Sequence, residues 1–376
     1  MKRLTILHVV QCAGGVDCYL RMLLSHMDKK RFRHILVCSA DYQREAYLPL
    51  VDEFVQVDMR NALSPCADTK AIISVRRVVK RCRPDIVYCH SSKGGGIGRL
   101  ACMGLGIPVL YNPHGWAFSM KGSRIKSFIY LCIERMLFPF TDHYVVISYY
   151  EKIVAAQKHV ANADRMKVIY NGIDLDSISR QLETSCVTRQ SLGIPETAYV
   201  ICMAGRISAQ KAPDVFVRMA ARVLKELPEA YFMIVGDGDE RGEIEGMVEG
   251  SGLSGRFLIT GWQEHPMPYV ALANQTVLLS RWEGFGLVLA EYMLLGKPIV
   301  ATEVNAIPEL VVDYENGILV PLDDDKRAAE AVMEIYRNKD MKDRFVSNGT
   351  MRLHALFDVC RVGMEHERLI ASIVGG

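Results

Sequence analysis

Short runs of consecutive apolar, often β-branched residues recur along the chain, separated by longer stretches in which apolar residues return every three or four positions. The runs at 4–10, 35–38, 86–89, 109–111, 144–147 and 168–170 each predict a strand. A strand that is apolar at every position, rather than every second one, is covered on both faces, as in a parallel sheet flanked by helices. After a polar stretch at 174–193 the alternation restarts, with runs at 199–203, 232–235, 257–259, 276–279 and 298–301. Two successive α/β domains follow, 1–172 and 173–350, each a Rossmann-like doubly wound parallel sheet. The last stretch, 351–376, reads as helices that need a surface to pack on. At 376 residues, half of them apolar, the chain is long enough to bury two such cores.

Two helical stretches of the first domain bear on membrane contact. Ile72, Val75, Val79 and Cys82 form one apolar stripe, with Arg76, Arg77, Lys80 and Arg81 on other faces. Ile125, Phe128, Ile129, Cys132 and Met136 form a second, preceded by Lys121, Arg124 and Lys126. Both stripes are expected to pack on their own sheet, while Leu131, Ile133, Leu137 and Phe138 broaden the second apolar surface beyond one stripe.

Charge sharpens this picture. Residues 1–172 hold 25 Lys+Arg against 13 Asp+Glu, a balance of +12, and the remainder holds 20 against 30, or −10. A basic first half suits an anionic partner, and with apolar side chains beside it an anionic membrane surface and a lipid-pyrophosphate-linked acceptor. Nucleic acid is not expected, because aromatic-interleaved basic patches and recognition motifs are absent from the sequence. No apolar stretch reaches the length of a spanning helix, and the run after the N-terminal basic pair stops at Gln11 without a small-residue cleavage site. The 11 cysteines are odd in number, dispersed and never Cys-x-x-Cys, which fits a reducing cytoplasm better than a disulfide framework. The expected location is therefore cytoplasmic, peripheral at the inner membrane face.

The strongest local signal is RWEGFGLVLAEYMLLGKPIVA at 281–301. A strand ends at Ser280, a glycine-bearing turn follows, and a helix begins near Leu287. A helix start offers unpaired N–H groups and a positive dipole end, which suit a diphosphate. Glu283 lies before the turn and Glu291 inside the helix, so Glu283 can accept bonds from sugar hydroxyls and Glu291 from a ribose diol. Arg206 and Lys211 follow the first strand of the second domain, where two cations would neutralise a leaving diphosphate. Gly14 and Gly15 follow the first strand of all and let backbone approach phosphate or sugar closely. His114 and His90 each follow a strand of the first sheet, at its carboxyl edge, where His114 could face the cleft between the domains and His90 could serve an acceptor. KGGGIG at 93–98 lacks a P-loop ending, and Asp323-Asp324-Asp325 reads as a capped helix start rather than a metal site.

The 281–301 segment resembles, nearly position by position, the donor-site signature of family four retaining glycosyltransferases, in which two glutamates are separated by seven residues. Further blocks follow in the family's order: Gly14-Gly15, Pro113-His114-Gly115, Tyr170 to Asp174 as linker, Gly205-Arg206 with Lys211, Gly236-Asp237-Gly238, Thr260-Gly261-Trp262 and Ile307-Pro308-Glu309-Leu310. Asp17 stands where the family usually has Glu. The resemblance implies a GT-B fold, with two domains facing across a cleft and the terminal helices crossing back to the first domain. It implies that a nucleotide-sugar, with uridine diphosphate the family-level expectation, is held by Gly236, Gly261, Trp262, Gly284, Phe285, Gly286, Leu287, Val288 and Glu291, together with Arg206 and Lys211, and that His114 bonds the transferred sugar. No metal or other cofactor is expected. The implied activity is retaining transfer of a hexosyl or N-acetylhexosaminyl group to a glycan or lipid-linked acceptor in capsule, exopolysaccharide or O-antigen assembly. A sugar-nucleotide epimerase on the same scaffold and a non-catalytic binding subunit are the rivals; the first leaves the basic domain unexplained.

Overall fold

The computed structural model of the chain describes residues 3–11, 14–60, 62, 64–119 and 123–375. Lys121, expected to flank the second apolar stripe, lies outside the described residues. The chain divides into two compact units, one of residues 1–172 with 359–376 and one of residues 173–358.

The first unit is a seven-stranded sheet of β1 (Leu4–Val10), β2 (Phe32–Cys38), β3 (Glu53–Gln56), β4 (Ile86–His90), β5 (Val109–Asn112), β6 (His143–Val146) and β7 (Met166–Val168), ordered β3-β2-β1-β4-β5-β6-β7. The second has six strands, β8 (Tyr199–Ala204), β9 (Ala230–Val235), β10 (Phe257–Ile259), β11 (Gln275–Leu278), β12 (Ile299–Thr302) and β13 (Ile318–Val320), ordered β10-β9-β8-β11-β12-β13. Every strand pair is parallel. In each sheet the chain winds outward one way, returns and winds the other, so strand order reverses between β1 and β4 and again between β8 and β11. At such a reversal the loops leaving adjacent strands part and open a crevice at the carboxyl edge. The apolar runs become strands for the expected reason: β1, β4 and β8 are almost wholly buried. The edge strands β3 and β13 escape the pattern because they are short and, in β3, half exposed.

The helix Pro213–Glu226 illustrates the covering layer. Pro213 opens it, Asp214 lies in the first turn and Lys225 in the last, as the helix dipole favours, and Val215, Phe216, Met219, Ala220 and Val223 bury one face. The helix Val359–Gly375 belongs to the first unit, where it lies against the helix Gly15–His26. At Gly363 an added Cβ would stand 3.0 Å from the carbonyl oxygen of His26, and Glu367 accepts from the Asp28 amide at 2.6 Å. The return starts at Val359, whereas the sequence pattern put the last boundary at 351, which lies inside the helix Lys339–Leu356.

The second apolar stripe does not face the sheet as expected. In the helix Arg124–Leu137, Ile125, Phe128 and Met136 are 73%, 64% and 73% exposed, and the inward positions are Tyr130, Leu131, Glu134 and Leu137. The reason is electrostatic. Glu134 is buried against the fully buried Arg99, Oε2 to Nη1 2.9 Å; Tyr111 donates to its other oxygen at 2.9 Å, and the guanidinium lies 3.9 Å over the Tyr111 ring. A buried charge must meet its partner, so this pair fixes which face turns inward. The first stripe packs largely as expected, with Val75 and Val79 fully buried.

Candidate active site

At the reversal of the second sheet, β8 leads into Gly205, which sits at φ +148°. The turn after β9 is laid against it: Gly205 N–H donates to Val235 O at 3.0 Å and Ile207 N–H to Asp237 O at 2.9 Å. A Cβ on Gly236 would stand 2.0 Å from Gly205 O, and one on Gly238 2.1 Å from Ile207 O. Both glycines are thus demanded by the closeness of two backbones. The Gly261 turn, at φ +75°, bridges to Gly236, and Trp262 beside it is 73% exposed.

Lys211 crosses this turn, its Cε 3.3 Å from where a Gly205 Cβ would be. Its ammonium meets Glu283 Oε1 at 2.5 Å, and Ser280 Oγ–H donates to the same oxygen at 2.8 Å. The backbone N–H of Glu283 donates to Asn305 Oδ1 at 3.1 Å, with Asn305 in the left-handed region that asparagine tolerates. Glu283 Oε2 is left without a partner among the described residues. Ser280 and Asn305 orient Glu283 and were not singled out from the sequence; an asparagine just after the β12 strand was the available signal.

The expected glycine turn is present, with Gly284 exposed and Gly286 at φ +81°, and the following helix is Val288–Leu294. Leu287 caps it and Val288 opens it, both open to solvent in part. The Phe285 ring is buried and edge-on to Phe357, 5.7 Å between centroids, which leaves its backbone for a ligand. Glu291 is half-buried, and burial pushes its carboxyl up to about 7 against the opposing pull of Lys211. The adjoining Tyr292 oxygen accepts from Ala204 N–H at 2.7 Å, tying this helix to the end of β8. Arg206 is exposed and makes no ion pair among the described residues. One sheet edge therefore gathers two acids, two cations and three backbone turns. The Asp323 to Asp325 run is a helix start, as expected, with Asp324 accepting from Arg327 N–H and Asp325 paired with Arg218 and Arg222.

Gly14, Gly15 and His114 belong to the first unit. Gly14, at φ +98°, precedes the helix Gly15–His26, and open space surrounds both glycines. Asp17 pairs with Arg21 and accepts from Tyr47. His114, at φ 53°, lines a cavity of about 650 Å³ together with Gln11, Ser91, Lys93 and apolar side chains such as Ile72, Ile97, Leu100 and Leu137. His90, singled out for its place at the same sheet edge, is fully buried and bonds His114 Nε2 through Nδ1 at 3.1 Å. His114 is held from the other side by Tyr19, edge-on at 4.5 Å, and Tyr19 in turn bonds His366 of the terminal helix at 2.9 Å.

Two doubly wound sheets in succession, the second carrying paired acids and cations at its strand-order reversal, are the layout of a GT-B glycosyltransferase. The chain belongs to glycosyltransferase family 4: the model described as "Glycosyltransferase Family 4" matches residues 13–177, and "Glycosyl transferases group 1" matches residues 187–352. It is an enzyme of that class. The chain is 28% identical over 290 residues to the UDP-Gal:alpha-D-GlcNAc-diphosphoundecaprenol alpha-1,3-galactosyltransferase of Escherichia coli, covering 76% of this chain and 75% of that protein. It is 27% identical over 339 residues to an uncharacterized 41.2 kDa protein in the cps region of Klebsiella pneumoniae, covering 87% and 88%. Among solved structures, HepE of Anabaena in complex with UDP superposes with a TM-score of 0.80 at 20% identity, over 99% of this chain and all of that one. That likeness establishes the fold.

Proposed function

We propose that this glycosyltransferase moves a sugar, with retention, from a UDP-sugar to a lipid-linked or glycan acceptor in surface-polysaccharide assembly. The observation that carries the reading is the Lys211–Glu283 pair beside Glu291 at the reversal of the second sheet. Lys211 has three N–H donors, so a diphosphate oxygen can take one while Glu283 keeps another. Arg206, with no ion pair among the described residues, adds a second cation, and together they stabilise the charge that grows on the leaving diphosphate, the part a metal ion would otherwise take. Glu283 uses Oε1 for its own bonds and offers Oε2 to a sugar hydroxyl, while Glu291 accepts from a ribose diol. The exposed Trp262 next to Gly261 offers a flat face to a base.

For the acceptor, the cavity beside His114 combines a polar rim with apolar walls, which fits a sugar carried on an apolar group. The Escherichia coli relative is named for an undecaprenol-linked substrate, and HepE is described bound to UDP-glucose. No helix among the described residues is long and apolar enough to cross a membrane. The exposed Ile125, Phe128, Ile129 and Met136, flanked by Arg124 and Lys126, suit peripheral contact with an anionic leaflet at its cytoplasmic face.

The test is release of UDP from a panel of UDP-sugars, with EDTA present, using undecaprenyl-diphosphate-linked N-acetylglucosamine as acceptor in anionic or in neutral vesicles. Acceptor-dependent UDP release, faster on anionic vesicles, is expected. If no UDP-sugar is turned over and none raises the thermal midpoint, the donor reading fails.

A further inference from the structure

Four histidines lie on four neighbouring strands of the first sheet, and the proposed chemistry uses one of them. His34 stands in β2, His8 in β1, His90 at the end of β4 and His114 just after β5. Their rings form an unbroken chain: His34 Nδ1 to His8 Nε2 at 3.2 Å, His8 Nδ1 to His90 Nε2 at 3.1 Å, and His90 Nδ1 to His114 Nε2 at 3.1 Å. The first three are fully buried, and only His114 reaches the cavity.

Burial keeps these imidazoles neutral. It pushes His8 and His90 well below the ordinary histidine range, His34 down to about 4 and His114 down to about 3. A neutral imidazole has one N–H and one lone pair, so each ring that donates through one nitrogen must accept through the other. All the N–H bonds in the chain must then run the same way, and the free end decides which. His34 Nε2 is buried with no partner among the described residues. If the bonds ran from His114 towards His34, that atom would carry a buried N–H with no acceptor, the rarer and costlier defect. Running the other way leaves a bare lone pair there, and puts the last proton on His114 Nδ1, which no described residue engages. Nearby, His366 Nδ1 can only donate to Val362 O at 2.8 Å, so its Nε2 is an acceptor, facing the hydroxyls of Tyr19 at 2.9 Å and Tyr88 at 3.2 Å; the Tyr19 ring packs against His114.

We propose that His34, His8 and His90 form a hydrogen-bond relay across the sheet that locks His114 as an Nδ1–H donor towards the sugar substrate. The three buried histidines are positioning residues, and the inference rests on His114 meeting substrate as proposed above. A donor fixed from behind loses no orientational freedom when a hydroxyl oxygen arrives.

The test uses the full chain labelled with ¹⁵N-histidine, read by long-range ¹H–¹⁵N correlation, with His114 assigned by the signals lost in His114→Asn. In the unsubstituted protein His114 is expected to be protonated on Nδ1 and bare on Nε2; protonation on Nε2, or a mixture, overturns the relay, and this reading needs no variant to fold. His90→Leu removes the ring that bonds His114 Nε2 and leaves that nitrogen free to carry the proton. It should turn His114 into a tautomer mixture and lower kcat/KM for the UDP-sugar by about three- to tenfold, the worth of one oriented neutral hydrogen bond. An unchanged His114 tautomer in folded His90→Leu overturns the proposal. If the tautomer is as expected yet His114→Ala transfers sugar at the full rate, the substrate contact is wrong and the relay proposal, which depends on it, falls with it.

Discussion

The carboxyl edges of the two sheets are built from the same strand-order reversal and are chemically opposite. At the second, Arg206 is exposed, Lys211 and Glu291 are half-buried, and the buried Glu283 is held by Lys211. At the first, the polar groups behind the cavity are neutral imidazoles stacked through the sheet. A charge far from water is costly unless paired, so a site for a diphosphate belongs at an open edge. A group that only has to orient a hydroxyl can be neutral and deeply supported. The fully buried Arg99 of the first unit obeys the same rule by taking Glu134 as partner.

The comparison is broken most directly at Glu283. Glu283→Ala should lower transfer by about 10³-fold or more through loss of sugar positioning, while circular dichroism and the thermal midpoint show a folded chain. Transfer within tenfold of the unsubstituted enzyme would remove Glu283 from the site. Next comes the buried pair. Arg99→Met strands Glu134 and should destabilise by about 3 kcal/mol or more, and adding Glu134→Leu should recover much of it. A double variant no more stable than Arg99→Met would mean that packing, and not charge, sets the inward face of the helix Arg124–Leu137.

The smallest effect is expected at Glu291 and depends on pH. Its folded carboxyl titrates near 7 and an unfolded one near 4.5, so between those values the folded chain holds a proton that the unfolded chain has lost. Stability therefore falls as pH rises through that window. Glu291→Gln should raise stability by roughly 2 kcal/mol above pH 7 and change it little below pH 4.5. Denaturant midpoints at pH 4.5 and pH 8 measure the difference; an equal gain at both would deny the raised carboxyl.

Much of the second edge was legible in the chain, because its parts are local. Glu283, the glycine turn and Glu291 lie within one short strand-turn-helix segment, and Arg206 and Lys211 within another. The packing of the Phe285 ring on Phe357, more than 70 residues away, is invisible to a local motif. Gly236 and Gly238 were visible as glycines, but their reason, two backbones in contact, was not. The helix Arg124–Leu137 is the sharpest miss: its apolar period pointed one way, and a single buried carboxylate turned it the other.

The histidine chain marks the same division. Continuous apolar runs and their order were enough to set two parallel sheets, because burying such strands on both faces leaves few other arrangements. His8, inside the first of those runs, and His34, just before the second, carry no local signal of a role. Their meaning depends on β1 lying between β2 and β4, which places rings 26 and 82 positions apart within hydrogen-bond reach. Residue type and local spacing determine which element forms and which backbone groups it exposes. Only the packed sheet decides which side chains meet across it, since those contacts join residues whose separation along the chain carries no period.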